Sequence, residues 1–392
     1  MRKLGIYVHI PFCVKKCLYC DFLSFSHESA AELAGVDAEE RYVEALIKEI
    51  EKEAENYKNH VVDTVFIGGG TPSILPEQWI EKILCKLKEE FNFRENQEIT
   101  PEITIEVNPG TVTEEKLRSY KEAGINRISI GTQSIREEEL RILGRIHSAD
   151  DFFLTYELAR KVGFSNINVD VMSALPGQTC EKYRETLEKV VQLKPEHISA
   201  YSLIIEEGTP FYDRYGKGIE GEDKLPEEEE ERLMYEETEH FLHKYGYQRY
   251  EISNYSLPGR ECRHNIAYWE RLDYVGFGLG ASSMAANIRW KNEEELKQYI
   301  ELANHKNGQM KRELQQLSVS EQMEEFMFLG LRLTKGVSRK TFSDMFHQEI
   351  DVVYAEILEK LEHQKLIAIG ERVSLTPYGR DVSNYVMAQF LF

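Results

Sequence analysis

From the N-terminus to about residue 205, short apolar, β-rich runs alternate with charged amphipathic segments, and this alternation admits very few folds. Gly5–Ile10 reads as a strand and Glu39–Tyr57 as a helix; Val61–Ile67 and Pro76–Glu90 repeat the pair. Strands at Ile103–Val107, Arg127–Ile130 and Ile167–Met172 are followed by helices at Thr113–Ala123, Ala149–Val162 and Cys180–Leu193, and strand His197–Leu203 closes the series. Repeated βα units require a parallel sheet with right-handed crossovers, either a barrel or a doubly wound sheet. Six strands with helices between them favour an α/β fold built on a partial (β/α)6 barrel. Polar residues fall just after the strands, on the face where barrel sites form.

A chain of 392 residues exceeds what one core usually holds, so further units are expected. We divide it into a core at 1–205, a barrel extension at 206–305 and a compact, mainly helical domain at 306–392. Within the extension, Gly216–Glu231 ends in a run of five glutamates, Glu227 to Glu231, read as a solvated loop feeding a helix N-terminus. In the last segment, Leu366–Leu375 reads as a small hairpin among helices, a winged-helix type of arrangement. A wing often serves DNA, but 48 Lys and Arg against 68 Asp and Glu give a net charge of −20, which disfavours a nucleic-acid partner. A protein-facing or lid role fits better. No stretch reads as a signal peptide or spanning helix, so a reducing cytoplasm is the expected compartment.

Six cysteines in a chain of this length do not make a disulfide framework, and three of them fall within eight residues, as Cys13-x3-Cys17-x2-Cys20. Three thiolates placed directly after the first strand suit one soft centre. A cubane cluster normally takes four thiolates, so three leave one iron open. An open iron can chelate the amino and carboxylate groups of S-adenosylmethionine (SAM), bringing its sulfonium beside a reducible 4Fe-4S cluster. The competing reading is a zinc site with His9, Asp21 or His27 as fourth ligand, although the spacing is unlike paired zinc knuckles. Tyr19, immediately before the third cysteine, is available to cover an adenine ring.

Other polar residues mark strand ends. Gly68-Gly69-Gly70-Thr71-Pro72 follows the second strand, as a turn or as backbone brought close to a ligand. Glu106, Gln133 and Asp170 interrupt or end apolar strands, where a carboxylate or amide either supports structure or serves a site. Together they form a polar ring at one end of a sheet. Arg145 is either a surface arginine or a fork for a carboxylate.

The segment Tyr7-Val8-His9-Ile10-Pro11-Phe12-Cys13, with Tyr19-Cys20, resembles the radical SAM branch that holds oxygen-independent coproporphyrinogen III oxidases and heme chaperones. The resemblance extends over nearly the whole chain. It implies a radical SAM barrel with a 4Fe-4S cluster on Cys13, Cys17 and Cys20. It implies SAM contacts from Tyr7, Tyr19, Gly69, Gly70, Thr71, Glu106, Gln133, Arg145 and Asp170, with Arg145 meeting the carboxylate, Gln133 and Asp170 the ribose, and the glycine segment the amino group. The oxidases carry a further cysteine two residues after the third; here that position is Phe22, which puts oxidase activity in doubt.

Cys262-Arg263-His264-Asn265-Ile266-Ala267-Tyr268-Trp269 resembles the His-Asn-x-x-Tyr-Trp heme-binding motif of the chaperones. By that resemblance His264 ligates heme iron, Tyr268 and Trp269 pack on the macrocycle, and Arg263 meets a propionate. Without it, His264 reads as a hydrogen-bonded structural histidine. The glycine-rich Gly276–Gly280 is available to bring backbone near the ligand. The expected function is heme binding and delivery to acceptor hemoproteins, such as respiratory-chain proteins. Peripheral membrane association and a homodimer are compatible with it. The alternative is oxidative decarboxylation of coproporphyrinogen III.

Overall fold

The structure is a computed structural model describing residues 1–93, 100–305 and 308–391. Numbering the strands of its large sheet in chain order, β1 (Arg2–Ile10), β2 (His60–Gly69), β3 (Glu102–Val107), β4 (Arg127–Gln133), β5 (Ile167–Ser173) and β6 (His197–Ser202) lie parallel, each beside the next. An order without reversal belongs to a barrel wound in one direction, since a doubly wound sheet reverses at a switch point. The barrel is open, and both edges are extended by chain from beyond residue 205. Strands β7 (Gln248–Arg249) and β8 (Asn254–Ser256) continue antiparallel from β6. On the other edge β9 (Tyr274–Phe277) pairs parallel with β1, followed by the antiparallel β10 (Ser282–Ala285), β11 (Ile288–Asn292) and β12 (Lys311–Gln316).

The crossover helices follow their sequence periodicity. Helix Cys180–Gln192 buries Tyr183, Thr186, Leu187, Val190 and Val191, an i, i+3, i+4 stripe laid on the sheet. Helix Ala149–Val162 is bounded by a capping box, Ser148 with Asp151, and by left-handed Gly163, so its ends are written in local chemistry. Inside, Ile6, Val8, Val65, Ile67, Ile105, Ile130, Val169 and Ile198 are fully buried, as the apolar runs of parallel strands require. The glutamate run is not a loop: Glu227 is the N-cap and Glu228 to Glu231 are the first turn of helix Glu228–Lys244, where carboxylates suit the dipole.

The C-terminal segment has its own core around Phe326, Met327, Phe342, Leu361, Val373 and Phe390. A three-stranded sheet (Val337–Ser338, Arg372–Leu375, Ile367–Ile369) sits among its helices, and the last two strands form the hairpin expected from Leu366–Leu375. The large sheet reaches past residue 305, because β12 pairs with β11. The expected division at 305/306 abuts residues 306 and 307, outside the described residues. Among the described residues, no helix is long and apolar enough to cross a membrane.

Candidate functional site

The cysteine loop leaves β1 through a short parallel pairing of Phe12–Cys13 with Phe25–Ser26. The glycine run after β2 packs directly beneath it. Gly70 and Thr71 donate their backbone N–H groups to the carbonyls of Ile10 and Phe12, at 2.8 and 2.7 Å. A Cβ on Gly70 would fall 2.6 Å from Phe12 O, and one on Gly69, at φ +112°, would fall 2.5 Å from the His9 ring. These two glycines are needed because backbone and ring approach too closely for any side chain. They pin the loop so that Cys13, Cys17 and Cys20 line one cavity of about 130 Å³.

All three sulfurs have hydrogen-bond donors, that of Cys20 being the Phe22 backbone. Thr71 Oγ1 lies 3.5 Å from Cys13 Sγ, and Arg145 Nη1 lies 3.4 Å from Cys17 Sγ. Donors on sulfur favour thiolate character and tune thiolate-bound metal centres. Burial pushes the Cys13 thiol up, against the Thr71 hydrogen bond, and pushes Cys20 up to about 11. Among the described residues, no three His, Cys, Asp or Glu side chains meet at a point that one ion could fill. Of the alternative zinc ligands, the two histidines are otherwise engaged, His9 with Tyr7 Oη at 2.9 Å and Leu23 O at 2.8 Å and His27 with Glu39, while Asp21 is exposed and lines the adjoining chamber. Three cysteines ringing a cavity, each with a donor on sulfur, fit a polynuclear cluster with separately ligated irons.

The polar ring closes the same cavity at the C-terminal ends of β2 to β5. Gly69, Gly70, Thr71, Glu106, Gln133, Arg145, Asp170 and Tyr19 all line it. Glu106 accepts the Gly69 N–H at 3.0 Å; burial, reinforced by Asp170, lifts its carboxyl to about 8. Burial also raises Asp170, which Asn168 bonds at 2.7 Å. Gln133 follows a bulge in β4 and holds φ at +67°, a left-handed conformation uncommon for a residue with a Cβ. Arg145 is buried. It donates to Cys17 Sγ, to Asn108 Oδ1 at 3.0 Å and to Gly131 O. The set can hold a zwitterion with a ribose: a guanidinium, backbone at a glycine turn, and two carboxylates. A larger chamber of about 440 Å³ continues from it, sharing Tyr19, Cys20, Glu106 and Asp170.

A second cavity, of about 630 Å³, lies on the β1–β9 side, a size typical of small-molecule sites. Tyr7, Phe66, His264, Tyr268, Trp269, Tyr274, Met284, Phe328 and Leu329 give it an apolar, aromatic wall. Phe22, 63% exposed, lines this cavity, the chamber and the cysteine cavity alike. Helix Arg263–Trp269 carries the histidine motif into it. Glu102 accepts the backbone N–H groups of Arg263 and His264, at 3.2 and 3.1 Å, and so caps that helix with a carboxylate. His264 is buried and stacked on Phe66 with ring centroids 5.3 Å apart. Its Nδ1 lies 2.8 Å from Thr64 Oγ1 and its Nε2 2.9 Å from Tyr268 Oη. Burial lowers its pKa to about 3, so the imidazole is neutral.

Residues 7–190 match the family model of the Radical SAM superfamily, and residues 317–382 match that of the HemN C-terminal domain. The heme chaperone HemW of Lactococcus lactis is 37% identical over 386 residues, covering 98% of this chain and 96% of the relative. HemW of Escherichia coli is 32% identical over 395 residues, covering 100% and 99%. The chain belongs to the HemW family. The structure of coproporphyrinogen III oxidase (HemN) from Escherichia coli, a radical SAM enzyme, superposes with a TM-score of 0.84 at 25% identity, covering 99% of this chain and 90% of that one.

Set on this HemW-family fold, the residues expected from the sequence fall into two groups. Cys13, Cys17, Cys20 and all the expected SAM contacts except Tyr7 share the first cavity. Tyr7 lines the second cavity instead, its hydroxyl on His9. His264, Tyr268 and Trp269 also line the second. Arg263 does not, being tied to Asp63 Oδ1 at 2.5 Å and to Thr100 O at 2.8 Å. The glycines of Gly276–Gly280 divide: Gly280 lines the second cavity, while Gly278 packs on Tyr42 and the His9 backbone. Sequence reasoning missed Asn108, which bonds both Arg145 and Thr71 Oγ1; its position two residues beyond Glu106 at a strand end was the available signal. It also missed Arg289 and Glu325, which come together only through tertiary packing.

Proposed function

We propose that this chain binds heme in the second cavity and delivers it to acceptor hemoproteins, with a 4Fe-4S cluster on Cys13, Cys17 and Cys20 and SAM in the polar ring beside it. The observation that carries this reading is the aromatic cavity of about 630 Å³, which holds His264, Tyr268 and Trp269 and meets the cysteine cavity at Phe22. When bound together, a reduced cluster and SAM supply one-electron cleavage of a C–S bond. This chain's part is to hold them: Arg145 and the Gly69–Thr71 turn suit the methionine portion, Gln133 and Asp170 the ribose, and Tyr19 the adenine.

For heme the relevant group is His264. With Thr64 Oγ1 accepting from Nδ1–H, the tautomer leaves the Nε2 lone pair free to accept the Tyr268 hydroxyl proton. That is the tautomer an iron ligand requires, with Thr64 orienting the ring from behind. Ligation replaces a hydrogen bond whose net worth is about 1 kcal/mol, a small cost against the ~8 kcal/mol of micromolar binding. Tyr268 Oη, 2.9 Å from Nε2, would have to give up that position to an iron. The test is transfer: the cluster-loaded protein carrying heme is mixed anaerobically with apomyoglobin, and the spectrum is followed. Transfer faster than from free heme supports delivery; retention of heme without transfer rejects it.

A second reading, coproporphyrinogen III oxidation, draws on the likeness to the HemN structure. Phe22, standing where the oxidases carry a further cysteine, weighs against it. Absence of protoporphyrinogen after anaerobic reduction with SAM would reject it.

A further inference from the structure

The far wall of the second cavity holds a charge arrangement that neither the cluster nor the motif helix uses. Glu325, on helix Val319–Gly330, is buried and shared by two arginines. Arg271 donates Nε to Oε2 at 2.7 Å, and Arg289 donates Nη2 to Oε1 at 2.7 Å. Two guanidinium groups on one carboxylate leave a formal surplus of one positive charge at the edge of an apolar space. A ligand that covers this space desolvates the surplus, which is expensive unless the ligand brings an anion to answer it.

The two arginines are not equivalent. The side chain of Arg271 is 3% exposed, bonds Asn287 Oδ1 at 3.1 Å and stays behind the wall. The side chain of Arg289 is 36% exposed and lines the cavity, its Nη1 reaching Tyr274 Oη at 3.3 Å. Among the described residues lining this cavity, it is the lone Lys or Arg. Arg289 can therefore leave Glu325 without stranding that carboxylate, because Arg271 still holds it. A guanidinium released in this way offers two parallel N–H groups to a ligand carboxylate.

We propose that Arg289 is the carboxylate-recognising residue of this cavity and that Glu325 is the internal anion which a ligand carboxylate displaces. The inference rests on the heme reading and makes it more specific: the ligand is a planar, largely apolar macrocycle with an ionised side-chain carboxylate facing the Arg289 wall. It assigns to Arg289 the role that the sequence suggested for Arg263.

The experiment compares iron protoporphyrin IX with its dimethyl ester, titrated anaerobically into the cluster-loaded full chain. A charge-assisted hydrogen bond is worth roughly 10- to 100-fold in affinity, so the diacid should bind wild type tighter by about that factor. In Arg289→Gln the advantage should fall close to one. In Glu325→Gln, which removes the competing anion, it should rise, and this variant carries the test if the first does not fold. Equal affinity for diacid and ester in wild type, or an advantage unchanged by Arg289→Gln, overturns this inference while leaving heme binding intact. An advantage unchanged or reduced in Glu325→Gln overturns it as well. Saturable binding of neither porphyrin overturns the heme reading itself, and this inference with it.

Discussion

His264 is held neutral inside the protein, between Thr64 and Tyr268 and against Phe66. Burial lowers its pKa from the ordinary imidazole value of 6.5 to about 3. The unfolded chain takes up that proton near 6.5, whereas the folded chain does not until far lower pH. The stability contributed by the neutral ring is thus complete above 6.5 and lost progressively as pH falls from there toward 3. His264→Gln should remove one such group. Urea unfolding between pH 6.5 and 5 should show the variant's stability falling less steeply than wild type, by up to about 1.4 kcal/mol per pH unit. An identical slope would contradict a buried neutral imidazole. The same residue shows how far a motif can be read from sequence: the pattern around His264 was visible, but its two partners come from β2 and from the helix itself. The distant Thr64 carries no signal of its own.

Helices whose ends are written in local chemistry were legible almost to the residue. Helix Ala149–Val162 lies where the sequence placed it because Ser148, Asp151 and Gly163 mark its limits within the segment. Ser148→Ala should therefore cost about 1 kcal/mol of stability while leaving the absorbance of the cluster-loaded protein unchanged; a large loss of that absorbance would mean that the helix does more than support the barrel wall. The β10–β11 hairpin was not legible. Its turn is Ala286-Asn287, both residues at positive φ (50° and 61°), rather than the Asn-Gly or Asp-Gly that usually announces such a turn. Strand β12, Lys-Arg-Glu-Leu-Gln-Gln, is largely exposed and lacks apolar alternation, so only its pairing with β11 makes it a strand. The parallel strands were legible for the opposite reason: burial on both faces turns them into apolar runs.

At the scale of the whole molecule, the C-terminal segment meets the barrel at the second cavity. Arg271 and Arg289 on the barrel side grip Glu325, Thr334 N–H donates to Tyr250 O at 3.0 Å, and Arg332 stacks over Trp269 at 4.3 Å from the ring centroid. The cavity wall is thus built from both parts. Arg271→Ala should leave Glu325 with Arg289 alone, removing one charge-assisted hydrogen bond at a cost of about 1.5–3 kcal/mol. Faster hydrogen exchange across helix Val319–Gly330 is the expected sign; unchanged exchange there would mean the contact does not hold the two parts together. This dependence on partners far apart in the chain is also why the wall escaped sequence reasoning, since Arg289 and Glu325 stand in segments that look unrelated.

Heme binding in the second cavity is tested most directly by an anaerobic heme titration of the cluster-loaded protein, followed by absorbance, with His264→Ala in parallel. Saturation near one heme per chain, weakened and spectrally altered in the variant, is the predicted result. No saturable binding, or binding and spectrum unchanged by the substitution, would contradict it.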